Sequence, residues 1–140
     1  DSIRKNYELT LYSGQMTRFM ISIEDAIDLV EKALKVNGYN IIPNLKSFYV
    51  KDLFEIFQEK FGLKFKLGVP RVSEKSHEIM IAQEECPRAF YHSSEDCFYM
   101  HYKDIMANPI EKEFSSKDAV VSKQELNTIL VKYNYFNTQG

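Results

Sequence analysis

The segment from Ser22 to Lys35 leaves this chain the least choice of structure. Ser22 followed by Asp25 has capping-box spacing, in which a hydroxyl takes up an orphan N–H of the first helical turn. Ile23, Ala26, Ile27, Val30 and Leu34 recur at intervals of three and four, so they share one helix face. Glu24, Asp25 and Asp28 sit at the positive end of the helix dipole, Lys32 and Lys35 at the negative end. Asn37-Gly38 then supplies a stop. A helix so sharply bounded needs an apolar layer to lie on, and the sequence around it reads as strands.

Tyr7 to Tyr12 alternates apolar and polar side chains, the period of a strand, and Ser13-Gly14 reads as a turn. Tyr39 to Ile42 is a short apolar run before Pro43 and predicts a buried strand. Val50 to Lys60 predicts a second helix with Leu53, Phe54, Phe57 and Phe61 on its apolar face and Gly62 at its end. Leu63 to Leu67 alternates again, Leu-Lys-Phe-Lys-Leu, as a half-exposed strand does. Glu74 to Ala82 is expected to form a short helix with Ile79 and Met80 inward. Ala89–His92 and Cys97–Tyr102 read as an aromatic hairpin about the polar Ser93–Asp96. Ile105 to Lys117 is polar, contains Asn108-Pro109 and lacks a period, and it reads as the least ordered stretch by composition. Ser122 and Glu125 predict a reciprocal capping box for a last helix carrying Leu126, Ile129, Leu130 and Tyr133. Alternation of this kind predicts a small α/β (α+β) layer of short mixed strands with about four helices.

At 140 residues the chain is one domain's worth, able to bury roughly two-thirds of its unfolded surface. Eighteen basic residues against twenty acidic argue against a cationic nucleic-acid binder and against a polybasic membrane patch. A local basic group, Lys64, Lys66, Arg71 and Lys75, reads as a solvated face rather than a nucleic-acid patch. No apolar run approaches the ~18 residues of a spanning helix, so no membrane partner is expected. Asp1-Ser2-Ile3-Arg4-Lys5 is neither an initiator nor a leader, and the expectation is a chain that begins within a protein or was processed or engineered. Cys86 and Cys97, eleven positions apart, form no CxxC pair. They read as two free thiols of a cytoplasmic protein; a domain of this size does not need a bridge for stability, although it could hold one.

The glycines stand singly, so there is no phosphate loop and no dinucleotide fingerprint. His77, His92 and His101 match no zinc spacing, and no metal site is expected. Tyr99-x-x-x-Lys103 has a spacing that would let a cation lower a phenol's pKa across one helical turn. On a strand those residues lie roughly 13 Å apart, so the spacing is read as coincidence. No catalytic residue is assigned. Two arginines stand out. Arg18 lies among Met16, Phe19 and Met20 just before a helix start, and Arg71 follows Pro70 at a strand end. Such junctions are where α/β folds take ligands, and a guanidinium there suits a phosphate. A structural ion pair is the competing reading of each, for Arg18 with Glu24 or Asp25.

Met16-Thr17-Arg18-Phe19 followed by Ile21 to Val30 resembles the opening of the C-terminal lobe of UDP-N-acetylglucosamine 4,6-dehydratases, polysaccharide-biosynthesis enzymes of the extended short-chain dehydrogenase/reductase superfamily. Tyr39–Pro43 and Ser47–Leu53 resemble the strand and helix that follow. Arg71 to Glu78 resembles the family's Arg-Pro-Gly-Glu-Lys-x-His-Glu, with Val72 and Ser73 in place of Pro and Gly. Phe114-Ser115-Ser116 and the last helix resemble its tail. The resemblance therefore divides the single domain 1–140 into a nucleotide-sugar lobe-like part, 1–83, and an aromatic hairpin with a closing helix, 84–140.

It implies a substrate-binding lobe of a nucleotide-sugar dehydratase or epimerase, without the Rossmann lobe that carries NADP and the catalytic Tyr-x-x-x-Lys. This chain alone would then bind no cofactor and be inactive. Its partners would be a UDP-sugar and a Rossmann lobe of the same or another chain, in a homo-oligomeric full enzyme. Arg18 and Arg71 would reach the UDP diphosphate and Glu74 the ribose hydroxyls. The alternative is a non-catalytic interaction or assembly module derived from such a lobe.

Overall fold

The computed structural model describes residues 2–70, 72 and 74–136. Its elements follow in the order α1 (Ser2–Lys5), β1 (Glu8–Leu11), β2 (Thr17–Phe19), α2 (Ile23–Leu34), β3 (Tyr39–Pro43), β4 (Ser47–Tyr49), α3 (Val50–Phe61) and β5 (Lys64–Leu67). They continue with β6 (Ile79–Ile81), β7 (Ala89–His92), β8 (Cys97–His101), β9 (Phe114–Ser115) and α4 (Lys123–Lys132). The strands make four small sheets: β1 parallel to β5, and antiparallel β2–β4, β6–β9 and β3–β8–β7. This is the mixed α/β layer that the sequence predicts, with four helices and short strands.

Two apolar cores form, one at each side of a polar seam. Ile56 of α3 meets Val121, Leu126 and Leu130, with Phe48, Leu53 and Phe57 packed around them. Ile81, Cys86, Ala89 and Met100 make the second core beneath the hairpin sheet, closed by Ile42, Phe98 and Phe114. Between them lie Thr17, Ser47, Ser115 and Ser116, all fully buried. Buried hydroxyls need partners. The Ser47 hydroxyl donates to the Ser116 carbonyl, and Ser47 and Val121 exchange backbone contact through Val121 N–H to Ser47 O at 2.9 Å.

Where local chemistry decides, the elements are those of the sequence. Ser22 caps α2 by accepting the Asp25 N–H at 3.0 Å. Gly62 ends α3 at φ +68°, the left-handed conformation that glycine enters without strain. The hairpin β7–β8 turns through Asp96, whose carboxylate takes Tyr91 Oη at 2.5 Å and Asn44 Nδ2 at 2.8 Å. Both cysteines are free and buried.

Four expectations are corrected. The Glu74–Ala82 helix does not form: the segment is irregular until Ile79, where β6 pairs with β9. Two of its carbonyls are taken by distant partners, Thr17 N–H to Ser76 O and Ser116 N–H to Glu78 O, each 2.9 Å, which competes with helical bonding there. The capping box at α4 is half made. Ser122 accepts the Glu125 N–H at 3.1 Å, but the Glu125 carboxylate turns to Lys46 Nζ at 2.5 Å. The stretch Ile105 to Lys117 is tied down at Met106 and Ile110, whose N–H groups reach Pro87 O and Ala89 O at 2.9 Å, and it contains the whole of β9.

The fourth correction concerns α2. The face read from its spacing is not buried: Ile23, Ile27, Val30 and Leu34 are 74%, 55%, 60% and 81% exposed. The helix instead lays half-buried Ala26, Leu29 and Lys32 inward, over β3, and fully buries no residue.

Candidate functional site

β2 carries Thr17 and Arg18 side by side, and alternation sends their side chains to opposite faces. Thr17 points into the seam. Its Oγ1 lies 2.8 Å from His77 Nδ1 and 2.6 Å from Ser116 Oγ, in hydrogen bonds to both. Ser116 Oγ also accepts the Glu78 N–H at 2.9 Å. One buried hydroxyl pair thus holds two successive residues of the 75–78 segment.

Arg18 holds the same segment from the other face. Its NH1 donates to Thr17 O at 2.7 Å and to Ser76 O at 3.4 Å, and NH2 donates to Lys75 O at 3.1 Å. Its Nε lies 3.9 Å from Glu78 Oε1. Glu78 Oε2 in turn accepts the Phe19 N–H at 2.8 Å. Arg18 does not turn to Glu24 or Asp25, nor out at the start of α2. It grips the backbone of the second sequence-predicted segment, at Lys75 and Ser76.

The structure thereby joins the two segments that the sequence singles out, β2 and the stretch up to Glu78. Glu74 is half-buried one residue before this grip begins. Arg71 lies outside the described residues. Thr17, His77, Glu78 and Ser116 complete the anchor, and single-residue reasoning assigns none of them a role. The Phe114-Ser115-Ser116 run was the one signal, since adjacent small hydroxyls suit a buried polar seam. The chemistry of the assembly is that of a fixed base: a positive group, one carboxylate and four successive residues locked from two sides, with the 71–74 stretch leading from it.

Away from this anchor, Tyr99 donates its phenolic hydrogen to Glu95 Oε2 at 2.6 Å. That bond pushes the Tyr99 pKa up to about 12, the opposite of what proton abstraction at neutral pH needs. Glu95 is correspondingly held below its ordinary range, first by Tyr99. The Tyr99-x-x-x-Lys103 spacing is structural coincidence, as the strand reading has it. A cleft of about 520 Å³ opens between α3, α4 and the start of α2, lined by Met20, Leu45, Phe48, Phe57, Leu126 and Tyr133 among others. No group of three metal-ligating side chains occurs among the described residues, and no described helix is long and apolar enough to cross a membrane.

A family model described as polysaccharide biosynthesis protein matches residues 1–99, a span that takes in both segments of the anchor up to Glu78. An uncharacterized membrane protein of Methanocaldococcus jannaschii is 32% identical over 148 residues, covering 96% of this chain and 44% of its own length. A UDP-glucose 4-epimerase of Rickettsia akari is 30% identical over 93 residues, covering 64% of this chain and 27% of its own length. The X-ray structure of Pen from Bacillus thuringiensis has the same fold, with TM-score 0.77 at 22% identity over 95% of this chain and 44% of that one. The chain spans less than half the length of each of these proteins.

Proposed function

This chain belongs to the polysaccharide biosynthesis protein family and is related to nucleotide-sugar epimerases, and from that premise we propose that it is the substrate-binding lobe of a UDP-N-acetylglucosamine 4,6-dehydratase or epimerase. It works in the cytoplasm and is inactive without an NADP-binding Rossmann lobe. The observation that supports this most is the anchor: Arg18, Thr17 and Ser116 spend their hydrogen bonds on fixing the Lys75–Glu78 base of one loop. Fixing a loop from two sides lowers the ordering cost when that loop closes on a ligand.

In this reading Arg71 takes the diphosphate and Glu74 accepts from the ribose diol, while Arg18, whose N–H groups go to the Thr17, Lys75 and Ser76 carbonyls, holds the segment that follows them instead of offering its fork to the ligand. Guanidinium forks and a carboxylate have the matching donors and acceptors. Val72 and Ser73 stand where the family pattern has Pro and Gly.

The test is calorimetric titration of the chain with UDP, UDP-glucose and UDP-N-acetylglucosamine, and of its Arg71→Ala and Glu74→Ala variants. Removing one charge-assisted contact is expected to weaken binding by ~1.5–3 kcal/mol, about tenfold to a hundredfold. NADPH is expected not to bind. A chain that takes none of the three ligands is the interaction or assembly module instead. Ligand binding indifferent to Arg71→Ala would leave the lobe and remove the residue assignment.

A further inference from the structure

The geometry points to a second binding site in the cleft between α3, α4 and the start of α2, and to an aromatic α-amino acid as the class of molecule it takes. The cleft has a volume of about 520 Å³, within the range of small-molecule sites, roughly 300–1,000 Å³. It exists because the α3–α4 core closes on one side only. Ile56, Leu126 and Leu130 are buried, while Met20, Phe48, Leu53 and Phe57 pack against them and stay half-buried where they line the cleft. Neither Arg18 nor the Thr17–His77–Ser116 group lines it, so it is separate from the anchor. An apolar hollow forfeits contacts that an apolar body inside it regains. Three of its lining residues, Phe48, Phe57 and Tyr133, are aromatic, which favours a ring as that body.

The charged groups choose the rest of the ligand. Asp25, Lys46 and Lys132 line the cleft. Lys46 is spent on Glu125, at 2.5 Å. Lys132 ends α4 with its Nζ 5.1 Å from the centre of the Tyr133 ring, and it has no carboxylate partner among the described residues. Asp25 gives its N–H to the Ser22 cap, and its carboxylate likewise has no partner among the described residues. A smaller hollow of about 310 Å³ shares Ile21, Asp25 and Asn44 with the cleft and adds Asp28, while its Lys32 is held by Glu95. The α2 end of the cleft is therefore acidic and the α4 end basic. One unspent carboxylate and one unspent ammonium about a single apolar chamber match a zwitterion, with its ammonium to Asp25, its carboxylate to Lys132 and its ring inward. A peptide segment carries both charges only at its two ends, and a nucleoside-diphosphate sugar has no ammonium for Asp25. The inference goes beyond the substrate-lobe reading and does not depend on it.

The experiment is calorimetric titration of the chain with three molecules that share a phenyl ring: L-phenylalanine, phenylpropionate, which lacks the ammonium, and phenylethylamine, which lacks the carboxylate. L-phenylalanine is expected to bind saturably and each of the others about tenfold more weakly. Lys132→Gln should weaken L-phenylalanine and phenylpropionate about tenfold and leave phenylethylamine unchanged. Asp25→Asn should weaken L-phenylalanine and phenylethylamine by about as much and leave phenylpropionate unchanged. Ile129→Trp puts a ring into the cleft from α4 and should abolish binding without lowering the melting temperature. Should that variant fail to fold, Leu45→Trp fills the cleft from the turn after β3 and gives the same readout. Equal affinity for the three probes overturns the proposal, and so does the absence of any binding. Binding that survives the tryptophan variants lies elsewhere on the chain and overturns it too. Displacement of L-phenylalanine by UDP-N-acetylglucosamine would make the cleft part of the substrate site, and the proposal fails. L-phenylalanine binding without any UDP-sugar binding keeps this site and removes the substrate reading; UDP-sugar binding without L-phenylalanine binding does the reverse.

Discussion

α2 and α3 have the same length, twelve residues, and both are amphipathic and firmly ended, yet the fold treats them oppositely. α3 sinks Ile56 to 2% exposure against Val121, Leu126 and Leu130 and is roofed by α4. α2 buries nothing fully and leaves its strongest stripe in solvent. Apolar periodicity therefore establishes that a segment is a helix that needs a surface. It does not establish that the surface lies within the same chain. What distinguishes them is the neighbourhood: α3 is followed in space by a helix with its own apolar face, α2 by a thin three-stranded sheet that covers only one side.

Truncation on the two helices tests this directly and gives the largest expected effect. Ile56→Ala removes a fully enclosed side chain and should destabilise the chain by ~2–5 kcal/mol in urea unfolding. Val30→Ala on the exposed stripe should stay within about 0.5 kcal/mol. A large loss from Val30→Ala would mean that α2 is covered in the free chain, and the contrast would collapse.

The seam between the cores comes next. Ser116→Ala takes the acceptor from the Glu78 N–H and the partner from Thr17 Oγ1. Leaving a buried donor unmatched costs about 1–3 kcal/mol. Thermal or urea unfolding reads the cost. The same variant should loosen the 75–78 segment, seen as faster amide exchange there while α3 stays protected. An unchanged exchange rate at 75–78 would show that Arg18 alone holds the loop.

How far the sequence speaks follows the same division. α2, α3, the β7–β8 hairpin and β5 are legible because their signals are local: a cap, a stop, a period, a turn. β2, β4, β6 and β9 are two or three residues long, too short to show a period, and exist because distant segments pair with them. The Ile79–Ile81 strand is the clearest instance, since β-branched residues at both ends suit a strand but the preceding Glu74–Glu78 reads as helical until Thr17 and Ser116 claim its backbone. At the anchor, Arg18 stands out as unusual from its apolar neighbours. The Glu78 and carbonyl partners that explain it lie more than fifty positions away and carry no local mark.

The caps of α2 and α4 should cost less than the seam. Ser22→Ala and Ser122→Ala each remove one side-chain acceptor from a first-turn N–H, worth ~1 kcal/mol. Because Glu125 is paired with Lys46 instead of returning to Ser122, no reciprocal bond is lost with Ser122→Ala. Urea midpoints that fall by similar amounts for the two variants fit this. A much larger loss at Ser122 would mean that the reciprocal bond forms in solution.

The smallest effect expected is the ionic tie between α3 and α4, which α2 has no counterpart for on its outward face. Lys123 Nζ reaches Glu55 Oε2 at 3.0 Å and Glu59 Oε1 at 2.7 Å. Its hydrogen bonds to Glu59 and then Glu55 raise the Lys123 pKa, and the bond from Lys123 holds the Glu55 carboxyl below its ordinary range. For Glu55 the sign follows from linkage. A carboxyl whose pKa is lower folded than unfolded adds stability that is present above its unfolded pKa and is lost as pH falls through the folded one. For Lys123 the raised pKa adds stability present at neutral pH and lost only in strong alkali. These groups are largely solvated, so the tie contributes a few tenths of a kcal/mol, about 0.2–1 at most, and is screened by salt. Glu55→Gln should therefore lower the urea midpoint slightly at pH 7. The difference from the parent chain should shrink to nothing as the buffer is taken below the ordinary carboxylate range, and shrink also in molar salt. A Glu55→Gln penalty that persists in acid would show that Glu55 acts through packing against α4 and not through its charge.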